Sequence, residues 1–206
     1  KRDDFFLMHG HTDSMTFYLS TLSRALAAGD LTARALTETC LEAIASEDGE
    51  RAFIEVYADR VRVEADQIDK ARQEGHALPP LAGIPLSVKD LFDVRGEVTR
   101  AGSTVLADHA AATADALVVS RMKAAGFILI GRTNMTEFAF SGLGMNPHYG
   151  DPRSPFERDA DGGRVAGGSS SGSAVSISDG MAPATIGSDT GGSTRTPAAF
   201  RGLVGQ

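Results

Sequence analysis

The sequence predicts an α/β fold with a largely parallel sheet, on three observations. Segments with helical apolar spacing alternate with short apolar runs along the chain. One of those runs, Phe127-Ile-Leu-Ile130, is wholly apolar, the mark of a strand covered on both faces. The 206 residues, 42% apolar and 23% charged, suffice for one globular domain with a sizeable core.

The elements follow in order. Met15, Leu19, Leu22 and Leu26 recur at helical spacing and predict a helix over 15–28, broken by Gly29-Asp30. Thr32 is an N-cap for a second helix through Ala45, with Leu36, Cys40 and Ala43 on one face. A short strand over 52–56 leads into a helix over 58–74, stopped by Gly75. After Pro79-Pro80, Ile84, Leu86 and Val88 alternate with Pro85, Ser87 and Lys89, which predicts a strand. A helix over 115–125 ends at Gly126, the strand Phe127–Ile130 follows, and Thr133 is expected to open a helix through Phe140. Residues 142–168 read as loop. A helix over 173–179, a strand over 184–186 and a helical turn from Pro197 to Phe200 complete the pattern.

Several classes are excluded or disfavoured. No apolar stretch is long enough for a spanning helix, so no membrane partner is expected. The net charge of −7 speaks against direct nucleic-acid binding. A single cysteine, Cys40, cannot form an internal disulfide, which fits a cytoplasmic, reducing compartment. The start, Lys1-Arg2-Asp3-Asp4 with no methionine before Met8, suggests a processed or added terminus, and Gly202–Gln206 reads as the middle of an element. His9 and His11 near that terminus carry little weight as metal ligands.

Glycine is concentrated late in the chain, with fourteen of 23 between Gly142 and Gly205. Two serine-rich loops stand out, Gly167-Gly-Ser-Ser-Ser-Gly-Ser-Ala174 and Gly187-Ser-Asp-Thr-Gly-Gly-Ser-Thr-Arg195. The first could be a flexible linker, but a helix pattern follows it at once. Glycines before a helix let main-chain N–H groups point one way, toward an anion or oxyanion. A serine at the end of such a nest is placed to attack a carbonyl held there. A nucleotide phosphate loop is unsupported, since Gly-x-x-x-x-Gly-Lys-[Ser/Thr] is absent.

A serine nucleophile needs a base. No histidine follows the serine loops, and Lys89 is the best candidate. It sits among apolar strand neighbours, where desolvation lowers an amine pKa, and alternation sends Asp90 to the other face. The plainer reading, that Lys89 pairs with a carboxylate at the sheet end, stands level with it on the residues alone.

Four segments resemble, in order, the blocks of the amidase signature family. They are Ile84-Pro-Leu-Ser-Val-Lys-Asp90, Gly131-Arg-Thr-Asn-Met-Thr-Glu-Phe138, Gly167-Gly-Ser-Ser-Ser-Gly-Ser173 and Asp189-Thr-Gly-Gly-Ser-Thr-Arg195. The resemblance runs from about Leu81 to the end and more weakly through the N-terminal helices. It implies a large mixed, mostly parallel twisted sheet flanked by helices, here its N-terminal half, behind a helical segment over 1–80. It also implies a Ser–cis-Ser–Lys triad acting without cofactor or metal. Lys89 matches the base, Ser169 the bridging serine and Ser193 the nucleophile. Thr190, Gly191, Gly192 and Ser193 match the oxyanion hole, and Ser170 and Asp189 the supporting positions. Arg195 would organise the loop through an ion pair or meet a substrate carboxylate. Ser171 stands where most members carry glycine, and Asp159-Ala-Asp-Gly162 looks inserted.

The activity so implied is hydrolysis of a small linear amide to acid and ammonia or amine through a seryl acyl-enzyme, in a possible homodimer. Met135, Phe138 and Met145 hint at an apolar substrate wall. The alternatives are a glutaminase-type amidotransferase subunit working with partners, or a piece inactive without the rest of the sheet. Other motifs are weaker. Gly168-Ser-Ser-Ser-Gly172 matches a nucleophile elbow but lacks a later histidine, Ser120-Arg-Met-Lys123 falls inside a helix pattern, and Asn134-Met-Thr136 is a sequon by pattern only.

Overall fold

A computed structural model describes residues 18–156, 158 and 163–205. Met8, His9, His11, Met15, the Asp159–Gly162 stretch and the last residue lie outside the described residues.

Three helices come first: α1 (Leu19–Ala28), α2 (Ala33–Ala45) and, after strand β1 (Phe53–Val56), α3 (Ala58–Gln73). Gly29 closes α1 in the left-handed region, φ 79°, a conformation that favours glycine. Thr32 caps α2, its hydroxyl accepting from the Ala35 N–H at 3.0 Å. The Asp69 carboxylate of α3 accepts from the Ala33 and Arg34 N–H groups, which ties α3 to the start of α2.

The sheet adds β2 (Pro85–Lys89), β3 (Ile128–Thr133) and β4 (Ala184–Ile186) in the order β1-β3-β2-β4. Strands β2, β3 and β4 are parallel, and β1 runs antiparallel on the outside of β3. Between them lie α4 (Leu117–Ala124) and α5 (Ser171–Ser178), with the short α6 (Arg195–Ala199) at the end. Every residue of β2 and β3 is buried, as the apolar run predicts for the start of β3 but as the alternation along β2 does not predict for Ser87 and Lys89.

Alternation along β2 sorts the two faces. Leu86 and Val88 join Leu26, Leu36, Cys40, Val61, Ala65 and Val119 in one apolar cluster, which therefore runs from the N-terminal helices into the strands. Ser87 and Lys89 point the other way, toward α5 and the loops at its start. There α5 comes very close to the backbone: a Cβ on Gly172 would lie 2.2 Å from the Ala52 carbonyl oxygen, so only glycine fits.

The expected helix from Thr133 to Phe140 is corrected. Thr133 is the last residue of β3, held between Phe53 of β1 and Lys89 of β2, and only a short 3-10 turn, Glu137–Ala139, follows. Pairing on both sides outweighs the helix-start character of threonine, and the positive φ of Phe138 and Ala139 breaks any helix.

Candidate active site

Parallel strands deliver their carboxyl ends to one edge of the sheet, where crossover loops leave a crevice. Lys89 and Ile186 stand at that edge. The loop before α5 brings Ser169 there, and the loop after β4 brings Ser188, Asp189 and Ser193.

Lys89 is fully buried. Its Nζ donates to Ser169 Oγ at 2.7 Å and to Ser188 Oγ at 2.8 Å. Both partners are hydroxyls, so the sheet-end carboxylate pairing that was open from sequence is not what forms. Burial lowers the amine pKa to about 8, against a weaker opposing pull from Asp189. Asp90 turns to the opposite face, where its carboxylate accepts from Arg132 Nε at 2.6 Å and from the Gly102 N–H at 2.9 Å. Both members of that ion pair are fully buried.

The Gly168–Ser169 peptide is cis. The Ser169 carbonyl accepts from the Thr136 N–H at 3.0 Å, and the Ser170 N–H donates to the Ser193 carbonyl at 3.1 Å. The second bond joins the two serine loops directly. Ser193 is half-buried, and its hydroxyl makes no hydrogen bond among the described residues.

Asp189 organises the second loop. Its carboxylate accepts from the N–H groups of Gly192, Thr194 and Arg195, and from both Nε and Nη2 of Arg195 at 3.0 Å. The guanidinium, with those N–H donors, holds the Asp189 carboxyl far below the usual carboxylate range. Arg195 thus takes the ion-pair position of its two expectations. The Gly192 N–H is engaged by Asp189, whereas those of Thr190, Gly191 and Ser193 have no acceptor among the described residues.

The proposed substrate wall is divided. Met135 is fully buried and Asn146 holds its carbonyl, while Phe138 and Met145 are half exposed. Asn134 of the sequon is buried, its Nδ2 donating to the Arg51 and Gly150 carbonyls. Lys123 of the Ser-x-x-Lys match pairs with Asp115.

Two residues of this site were not singled out from sequence. Ser188, the second partner of Lys89, stood in the quoted loop one residue before Asp189, with no local signal to rank it. Arg132 had a signal: a cation two residues past an all-apolar run, and so within reach of the same buried strand, must find a buried anion. Among the described residues no group of His, Cys, Asp or Glu side chains could hold a metal ion, and no helix is long and apolar enough to cross a membrane.

The Amidase family model matches residues 35–206. The chain belongs to the amidase signature family. It is 46% identical over 181 residues to AtzE, the 1-carboxybiuret hydrolase subunit of Pseudomonas sp. strain ADP, covering 87% of this chain and 39% of that protein. It is 45% identical to a glutamyl-tRNA(Gln) amidotransferase subunit of Synechococcus sp. strain WH7803, over 87% of this chain and 36% of that one. Among solved structures, a chain of an inhibitor-bound vestigial protein complex, described as revealing the evolutionary origins of an s-triazine catabolic enzyme, superposes with a TM-score of 0.81 at 44% identity, over 88% of this chain and 39% of that one. The peptide amidase of Stenotrophomonas maltophilia gives 0.76 at 35% identity, over 88% and 38%. The chain thus spans about two fifths of the length of these amidase signature relatives.

Proposed function

We propose that this chain carries the reacting groups of an amidase that cleaves the C–N bond of linear amides. What carries the reading is the buried contact of the Lys89 amine with the Ser169 hydroxyl, beside the loop that presents Ser193. In the neutral state Lys89 takes a proton from Ser169, which takes one from Ser193. The Ser193 oxygen bonds to the amide carbon, and the carbonyl oxygen becomes an oxyanion. The N–H groups of Thr190, Gly191 and Ser193 stabilise it, with Gly192 joining if its bond to Asp189 yields. One such donor is worth about 3 kcal/mol in the transition state. The C–N bond then breaks, the relay proton passes to the leaving nitrogen, and water releases the acid from the Ser193 ester. Phe138 and Met145 are the exposed part of the substrate wall. The lone buried Cys40, its thiol pushed up to about 12 by burial, suits a cytoplasmic protein.

A second reading, glutaminase within an amidotransferase, draws on the relatives that are glutamyl-tRNA(Gln) amidotransferase subunits. One assay separates them: ammonia release from aliphatic, aromatic and ureido amides and from glutamine, by wild type and Ser193→Ala. The amidase reading expects turnover of non-glutamine amides that Ser193→Ala abolishes, rising with pH through about 8 as Lys89 loses its proton. Glutamine as sole substrate, with co-purifying partner proteins, would favour the second. Ordinary turnover by Ser193→Ala would end both.

A further inference from the structure

Helix α5 meets the sheet through Val175, which packs with Ala52 and Phe53, and through a row of hydroxyls. Its residues Ser171 through Ser176 are all buried, yet few offer apolar surface to the strands beneath. Ser176 Oγ lies 2.8 Å from Ser87 Oγ on β2, and Ser87 Oγ donates to Thr185 Oγ1 on β4 at 2.7 Å. Ser173 Oγ lies 2.8 Å from Thr133 Oγ1 on β3 and reaches the Ile186 carbonyl at 3.4 Å. Five hydroxyls from one helix and three strands thus form a seam, four of them buried and Thr185 half-buried at its β4 end. Ser87 is two residues before Lys89, and Ser173 is four residues after Ser169.

We propose that Ser173 and Ser176 are positioning residues, which fix the register of α5 on β2 and β3 and thereby hold Ser169 against the Lys89 amine. Apolar contacts are non-directional and let a helix slide or turn by a fraction of a residue. Hydrogen bonds between short side chains do not, because they weaken steeply with distance and angle. Ser169 directly precedes the cap of α5, so a rotation of the helix displaces its hydroxyl. A misplacement of about 1 Å at a reacting group costs roughly 100-fold in rate. Gly172, also on α5, permits the close approach and anchors the helix start through its N–H, which donates to the Asn134 carbonyl at 3.0 Å; the hydroxyls of Ser173 and Ser176, one and four residues on, set the rotation about that point. The inference rests on the bridging role proposed for Ser169.

The test follows the Lys89 amine itself, by NMR titration of the protein labelled with 13C at lysine Cε, its signal assigned by loss in Lys89→Met. The charged group reaching Lys89 is Asp189, which none of the test variants alters. Wild type is expected to titrate near 8. In Ser173→Ala/Ser176→Ala the midpoint rises toward the ordinary lysine value as Ser169 withdraws and water enters. Phosphonylation of Ser193 by a fluorophosphonate, measured per folded molecule, falls at least tenfold, and Ser173→Thr, which keeps its hydroxyl, restores most of it. If the double variant does not fold, Ser173→Ala alone and Thr185→Val give the same comparison with smaller shifts. Variants that melt lower yet keep the wild-type midpoint and labelling rate within twofold would overturn the inference. If wild-type Ser193 is not labelled at all, the nucleophile assignment fails while the amine titration still decides the seam.

Discussion

The two faces of the sheet are built by different means. The face under α1, α2 and α3 is apolar, with Leu26, Leu36, Val61, Leu86 and Val88 meeting in one cluster. The face under α5 carries Ser87 and Thr133, hydrogen-bonded to Ser176 and Ser173 of the helix, and Lys89, hydrogen-bonded to Ser169 and Ser188. The first kind of packing stabilises in proportion to area and tolerates small shifts. The second contributes less net stability per contact but selects one geometry. The comparison teaches that this molecule separates cohesion from aim: one face keeps the chain folded, the other points its reactive groups.

Four substitutions would break or sharpen that contrast, from the largest effect down. Asp90→Ala leaves Arg132 charged and buried without its anion, and a broken buried pair costs about 3–5 kcal/mol; chemical denaturation should show it, and an unchanged midpoint would refute it. Leu36→Ala opens a hole in the apolar face and costs roughly 2–5 kcal/mol. It should lower the melting temperature while leaving the Lys89 titration where it was. Thr32→Ala removes the cap of α2 and costs about 1 kcal/mol, again without touching the amine.

Lys89→Met is expected to move stability the other way. A lysine whose folded pKa is depressed binds fewer protons folded than unfolded between about 8 and 10.5, so wild-type stability rises with pH across that window. Below about 8 the burial cost is fully present, roughly 3 kcal/mol for that shift. Loss of the two hydroxyl bonds offsets about 1 kcal/mol each. The variant should therefore be more stable near pH 7 by on the order of 1 kcal/mol, with the gain fading as pH climbs, and inactive throughout. A variant less stable than wild type at pH 7 would show the amine to be well solvated.

Legibility followed the same division. The apolar face was readable because its residues repeat at 3.6 or 2: Leu19, Leu22 and Leu26, or Ile84, Leu86 and Val88. The cap at Thr32 and the stop at Gly29 carried their usual signatures. The hydroxyl face has no period to read. The helix over 173–179 was legible but the buried partners of its serines were not, and Thr133 looked like the start of a helix because its role in β3 depends on partners 44 and 80 residues away. The position of Lys89 was legible from alternation, its partner Ser169 only through the family resemblance, and its partner Ser188 not at all. Ser188 becomes visible only once β2 and β4 lie side by side.

Lys89, the last residue of β2, and Asp90, the next in the chain, send a basic and an acidic group to opposite sides of one sheet, and this gives the strand end a parity. Lys89 and Asp90 can coexist one residue apart only because the pleat keeps a barrier of backbone between them. A single residue inserted after Val88 would move both on by one place, leaving the inserted side chain to face Ser169 and stranding the amine beside Arg132. No stretch of this strand can drift by one step and keep even a trace of its chemistry, so length here is as unforgiving as identity.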